Sequence, residues 1–225
     1  MRMADIIDAE SVAEANSPLH FPHYNSMMSS DHAALPNEAL HILHFWFGAN
    51  ALQAPEQRKE WFNKNTKFDE AITKHFLSVY KRGIAGELES WRAAAGSALA
   101  YVLLFDQFPR NRFRGRADAF ATDARALSCA KAAVAAGFDD QVPPLARVFF
   151  YLPFEHSERM PDQRYSLKLF GRLAVHPGME TFVDYAKRHY AVVERFGRFP
   201  HRNDLLGRPS TVEELGFLKQ PGSSF

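Results

Sequence analysis

The sequence predicts an all-α protein, and three observations carry that expectation. From Pro36 onward the apolar residues recur at helical spacing. Strand signals are nearly absent, with no hairpin dipeptide between alternating apolar runs. The candidate helices are separated by short loops punctuated by glycine and proline, a pattern that suits antiparallel helix pairs.

Each element follows from local signals. Pro36 through Phe47 is apolar nearly all round (Leu40, Ile42, Leu43, Phe45, Trp46, Phe47), so this helix should be buried on several sides and stop at Gly48. The next helix is expected over Phe68–Arg82, with Phe68, Ile72, Phe76 and Val79 in one stripe. Its first turn holds Asp69 and Glu70, its last holds Lys81 and Arg82, and Gly83 is the expected stop. A third helix should cover Ser97–Phe108, because Pro109 disfavours helical geometry at Phe108. A fourth should run from Thr122, as N-cap, to Gly137, and a fifth should begin near Leu145. Met179–Phe196 is the most regular element, with Met179, Phe182, Val183, Ala186, Tyr190 and Val193 as its apolar stripe and Gly197 as its stop. A last short helix should start at Thr211, whose spacing to Glu214 is that of a capping box.

Size and composition bound the rest. With 225 residues, 46% hydrophobic and 24% charged, the chain can bury a sizeable core. Its 20 phenylalanines point to a core packed with rings. Residues 1–34 are acidic, then rich in serine, histidine and methionine. They read as a mobile extension with one short helix over Ala4–Ala15, leaving 35–225 as a single helical domain. A formal charge of +1 provides no field to steer nucleic acid or an anionic membrane, so neither is an expected partner. The single cysteine, Cys129, lies in an alanine-rich stretch, reads as a small core residue and allows no disulfide within the chain. No secretory signal or membrane-spanning run is visible, and a cytoplasmic location is expected.

Three segments break local rules, which is where function or strain is expected. The first is Phe105-Asp106-Gln107-Phe108-Pro109-Arg110-Asn111, followed by Arg114. A carboxylate in a helix's last turn is unfavourable, so Asp106 should pair with Arg110, Arg114 or an arginine from elsewhere. The second is Tyr151-Leu152-Pro153-Phe154-Glu155-His156-Ser157-Glu158. Pro153 removes a backbone bond, and Glu155 and Glu158 stand three apart, on one face if the helix continues. Such a pair needs a cation, a shared proton or an arginine between them; otherwise Glu155 pairs with Arg159. The spacing lacks the histidine of a Glu-x-x-His metal motif, so no metal or other cofactor is assigned. The third is Arg195-Phe196-Gly197-Arg198-Phe199-Pro200-His201-Arg202-Asn203, then Gly207-Arg208. Guanidinium groups grip carboxylates and phosphates with paired bonds, either of a ligand or of Asp106, Glu155 and Glu158 in the same chain.

Together these segments resemble the bacterial domain-of-unknown-function family 924. The resemblance rests on Asp106 to Asn111, Pro153 to Glu158 and Gly197 to Asn203. Phe45-Trp46-Phe47-Gly48, Trp61-Phe62, Gly86-Glu87-Leu88 with Trp91, and Gly207-Arg208-Pro209-Ser210-Thr211 with Glu214 support it. It covers roughly Pro36 to Phe225. It implies a tetratricopeptide-like, right-handed superhelix, and it implies no activity.

Two functions are compatible with these residues. The leading expectation is a binding module for a small anionic molecule or a peptide. Asp106, Gln107, Arg110, Asn111, Arg114, Arg198, His201, Arg202, Asn203 and Arg208 would then line the site. The rival is a hydrolase or transferase acting on a small anionic substrate, with Glu155, His156, Glu158 and His201 as candidate acid–base residues.

Overall fold

The computed structural model describes residues 35–224, whose regular elements are all helical, with no strand among them. The expectations for residues 1–34, including the short helix at Ala4–Ala15, lie outside the described residues.

The helices are α1 (Asn37–Phe47), α2 (Thr66–Ile84), α3 (Ala95–Val102), α4 (Phe108–Arg112), α5 (Asp123–Ala135), α6 (Pro144–Glu155), α7 (Met160–Leu173), α8 (Glu180–Phe196) and α9 (Val212–Leu218). Short 3-10 turns, including Ala117–Phe120 and Pro200–Arg202, fill the connections. Consecutive helices pack on one another, α5 on α6, α6 on α7 and α7 on α8, while α3 lies against α1, α5 and α6. The core is a lattice of rings. Trp46 stacks on Trp61 at 5.7 Å between centroids, and Phe149 meets Trp61 edge-on at 4.8 Å.

The structure departs from the sequence reading at four points. Helix α2 does not stop at Gly83 but runs to Ile84. Gly83 is buried in the helix because a Cβ there would lie 2.5 Å from Phe105 Cζ; a packing contact, not a turn, requires the glycine. Helix α7 was not anticipated, although Pro161 and Asp162 in its first turn and Arg172 in its last are boundary signals of the ordinary kind. The stripe of α8 is broader than expected: Met179, Phe182, Ala186 and Val193 are buried as the spacing predicts, Tyr185, His189 and Val192 join them, and Tyr190 instead donates to Glu194 in solvent.

The fourth departure positions the site. The chain does not leave helical geometry at Phe108 but passes Pro109 through a π-helical turn, Leu103–Gln107, and continues into α4. Pro109 has no N–H to give the carbonyl of Phe105, four residues back. Thr122 fills that place, its hydroxyl donating to Phe105 O at 2.6 Å, while Phe108 N bonds to Leu103 O five residues back. Thr122 therefore occupies the N-cap position of α5 without capping it. The inserted residue turns Asp106 and Gln107 inward, and both are buried.

Candidate functional site

The structure divides the three motifs into a clamp and a centre. In the clamp, Arg208 grips Glu158 with two bonds, at 2.6 and 2.9 Å, and Phe199 N donates to the same carboxylate. Arg208 also donates to Asn203, whose amide reaches Ser210. Arg198 grips Glu214 with bonds of 2.6 and 2.8 Å, and Glu214 closes the capping box of α9 with Thr211. Those bonds to Arg198 and to the Thr211 backbone outweigh partial burial and hold the Glu214 carboxyl at about 2. Arg198, Asn203 and Arg208 thus fasten the last loop to the body. Asn111 and Arg114 do equivalent work elsewhere, both bonding to Asp69 at the start of α2.

Glu155 and Glu158 do not share a helical face. Helix α6 ends at Glu155, so Glu158 turns away to Arg208. Glu155 is buried and meets His189 Nδ1 at 3.0 Å instead of pairing with Arg159.

The centre is a closed circuit of seven residues from six segments. Asp106 Oδ1 lies 2.8 Å from His156 Nδ1. The His156 ring meets His189 edge-on at 6.2 Å, and His189 meets Phe199 at 5.5 Å. The Phe199 ring lies under the Arg202 guanidinium at 4.5 Å. Arg202 Nη1 reaches Asp123 at 3.4 Å. Arg110 grips both oxygens of Asp123, at 2.9 and 3.0 Å, and returns to Asp106 at 3.3 Å. His201 adjoins this circuit through Phe199, their ring centroids 5.7 Å apart.

The protonation states follow from burial and neighbours. Burial alone would raise the Asp106 carboxyl, but Arg110 and His156 beside it, with the amide of Gln107 at 2.6 Å, hold it well below the usual carboxylate range. Burial and then Arg110 push His156 below its usual value, against the opposing pull of Asp106. His201 is pushed down to about 3 by burial and the surrounding cations. Burial and Arg110 lower Arg202 to about 10, despite Asp123. At neutral pH Asp106, Arg110 and Arg202 are therefore ionised, with His156 and His201 neutral.

Two members of the centre and one residue that covers it escaped the sequence reading. Asp123 was masked by Thr122, because an acid in the first turn of a helix needs no further explanation. His189 was legible in principle, as a histidine on the buried stripe of α8 four residues after Tyr185. Phe120, whose ring covers Arg202 at 4.6 Å, has no local signal. No group of three metal-type ligands converges among the described residues.

Helical architecture and an ion-paired polar centre place the chain among all-α proteins with a buried charged site, and sequence comparison gives its family. The model for the bacterial proteins of unknown function called DUF924 matches residues 42–222, and the chain belongs to that family. It is similar to a solved structure of a protein of unknown function from Agrobacterium tumefaciens, at 39% identity and a TM-score of 0.73, over 80% of this chain and 96% of that one. No curated protein matched.

Proposed function

We propose that the centre binds a small anion, a carboxylate or phosphate group of a metabolite or the free carboxylate of a peptide end. The observation that carries this reading is Arg202. Its side chain is buried, yet its Nε has no acceptor. Asp123 engages Nη1 at 3.4 Å, and the Nε–Nη2 edge of the guanidinium has no acceptor at Nε. That edge matches the two oxygens of a carboxylate or phosphate. The Phe120 and Phe199 rings both lie against the guanidinium, at 4.6 and 4.5 Å, and restrict its movement, so less entropy is lost when a ligand docks.

Net charge is not the driving term. Asp106 and Asp123 balance Arg110 and Arg202, and Arg198 and Arg208 are absorbed by Glu214 and Glu158. Recognition rests on directed donors. A ligand that binds only the folded state stabilises it by about 2.7 kcal/mol at a hundredfold excess over Kd. Phosphate or a small dicarboxylate is expected to raise the melting temperature more than chloride at matched ionic strength. Arg202→Gln should abolish the difference while leaving the helical circular dichroism intact. Equal shifts for every anion, or an undiminished shift in the variant, would contradict the reading.

A further inference from the structure

We infer that the Asp106–His156 pair is a general base, and that the centre hydrolyses a carboxylic ester whose substrate carries a second, anionic group. This rests on the anion site proposed above, since Arg202 supplies the anchor.

The argument begins with the hydrogen bond. Asp106 is 1% exposed and ionised, so it can only accept. Its contact at 2.8 Å with His156 Nδ1 therefore places the ring proton on Nδ1. In a neutral imidazole the lone pair is then on Nε2. That nitrogen makes no hydrogen bond with any described residue, and it is not sealed among the buried polar atoms.

Asp106 is itself immobilised. Gln107 holds its second oxygen, Arg110 donates to its backbone carbonyl at 2.6 Å, and the π-helical turn fixes its direction. The carboxylate thus sets both the tautomer and the angle of the ring, as an orienting acid does beside a catalytic histidine. His156 opens the loop after α6, and the His156 side chain keeps a small exposed edge, 12% of its surface. A base of this kind suits acyl chemistry, where water must lose a proton as it attacks. It suits the loose transition state of phosphate monoesters less well.

The step balances with water as the only co-reactant. His156 Nε2 takes a proton from water as the oxygen bonds to the acyl carbon, and the carbonyl π pair moves to its oxygen. The tetrahedral intermediate then collapses and the ester C–O bond breaks. The departing oxygen takes the proton from Nε2, giving a carboxylic acid and an alcohol. No side chain is acylated; Ser157, next in sequence, is turned away to Asp162.

The groups facing His156 are Asp106 from the π-helical turn, Arg110 from α4, Asp123 from α5, His189 from α8 and His201 from the last loop. Burial and Arg110 keep the ring unprotonated at neutral pH. The rate should therefore rise along one ionisation below pH 6.5 and be level above it.

The test uses the 4-nitrophenyl monoester of glutaric acid, which carries a free carboxylate, against neutral 4-nitrophenyl butyrate. Wild type is expected to favour the charged ester, with phosphate inhibiting competitively. His156→Gln should lower kcat/KM by at least about 100-fold. If that variant fails to fold, nitrogen NMR of the wild type gives an independent reading: His156 Nε2 must be unprotonated at pH 7. A proton on Nε2, or hydrolysis undiminished in His156→Gln, would overturn the proposal. Stabilisation by phosphate without hydrolysis of the charged ester would overturn the general base and leave the anion site standing. Neither stabilisation nor hydrolysis would overturn both.

Discussion

Asp106 shows what one residue must satisfy to stay ionised in a core. A carboxylate 1% exposed bears a desolvation cost that only well-placed partners offset. It has three: His156, Arg110 and Gln107. Asp106→Ala should lower unfolding free energy in urea by about 3 kcal/mol, the low end for a broken buried pair because Arg110 keeps Asp123. A change below about 0.5 kcal/mol would mean a pair of no more consequence than a surface one. His201 gives the complementary case. Its folded value of about 3 lies below the ordinary 6.5, so the folded protein keeps it neutral. Its contribution to stability is complete above pH 6.5 and is lost as pH falls, because the unfolded chain takes the proton first. For a histidine held neutral the slope is about 0.7 kcal/mol per pH unit at pH 6.5 and approaches about 1.4 near pH 5. His201→Gln should remove one such increment in urea titrations at stepped pH, and an unchanged slope would contradict the assignment.

At the scale of the element, the π-helical turn is the feature on which the site depends. Pro109 was read as a stop because local rules treat a proline as a boundary. A hydroxyl from a distant helix overrides that rule by satisfying the carbonyl the proline leaves. Thr122→Val keeps the shape and removes the donor. It should cost about 1–3 kcal/mol, the penalty for a buried carbonyl left unbonded, measured by chemical denaturation. A neutral outcome would show that the turn does not need Thr122. Elements whose signals are local were legible: the Gly197 stop, at φ 70°, and the Thr211–Glu214 capping box both stand where the sequence put them. Gly83 and Thr122 were not, since each is explained by a residue at least 17 positions away.

For the molecule as a whole, helical class followed from periodicity, and the polar motifs were visible as departures from it. Their pairing was not visible, because fourteen charged or amide side chains in three loops admit many matchings, roughly as six cysteines admit fifteen disulfide patterns. Folding chooses by distance. It sends Glu158, Glu214 and Asp69 to the arginines that fasten loops, and leaves Asp106, His156, Asp123, Arg110 and Arg202 around one centre. Among the described residues no helix is long and apolar enough to cross a membrane. The central claim is that Arg202 offers a donor edge to an anion. The most direct measurement is the Nε–H resonance of Arg202 in nitrogen-labelled protein titrated with phosphate at constant ionic strength. A saturable shift of that resonance, absent when chloride replaces phosphate, is the expected result. A resonance that stays fixed while phosphate is raised to tens of millimolar would contradict the account.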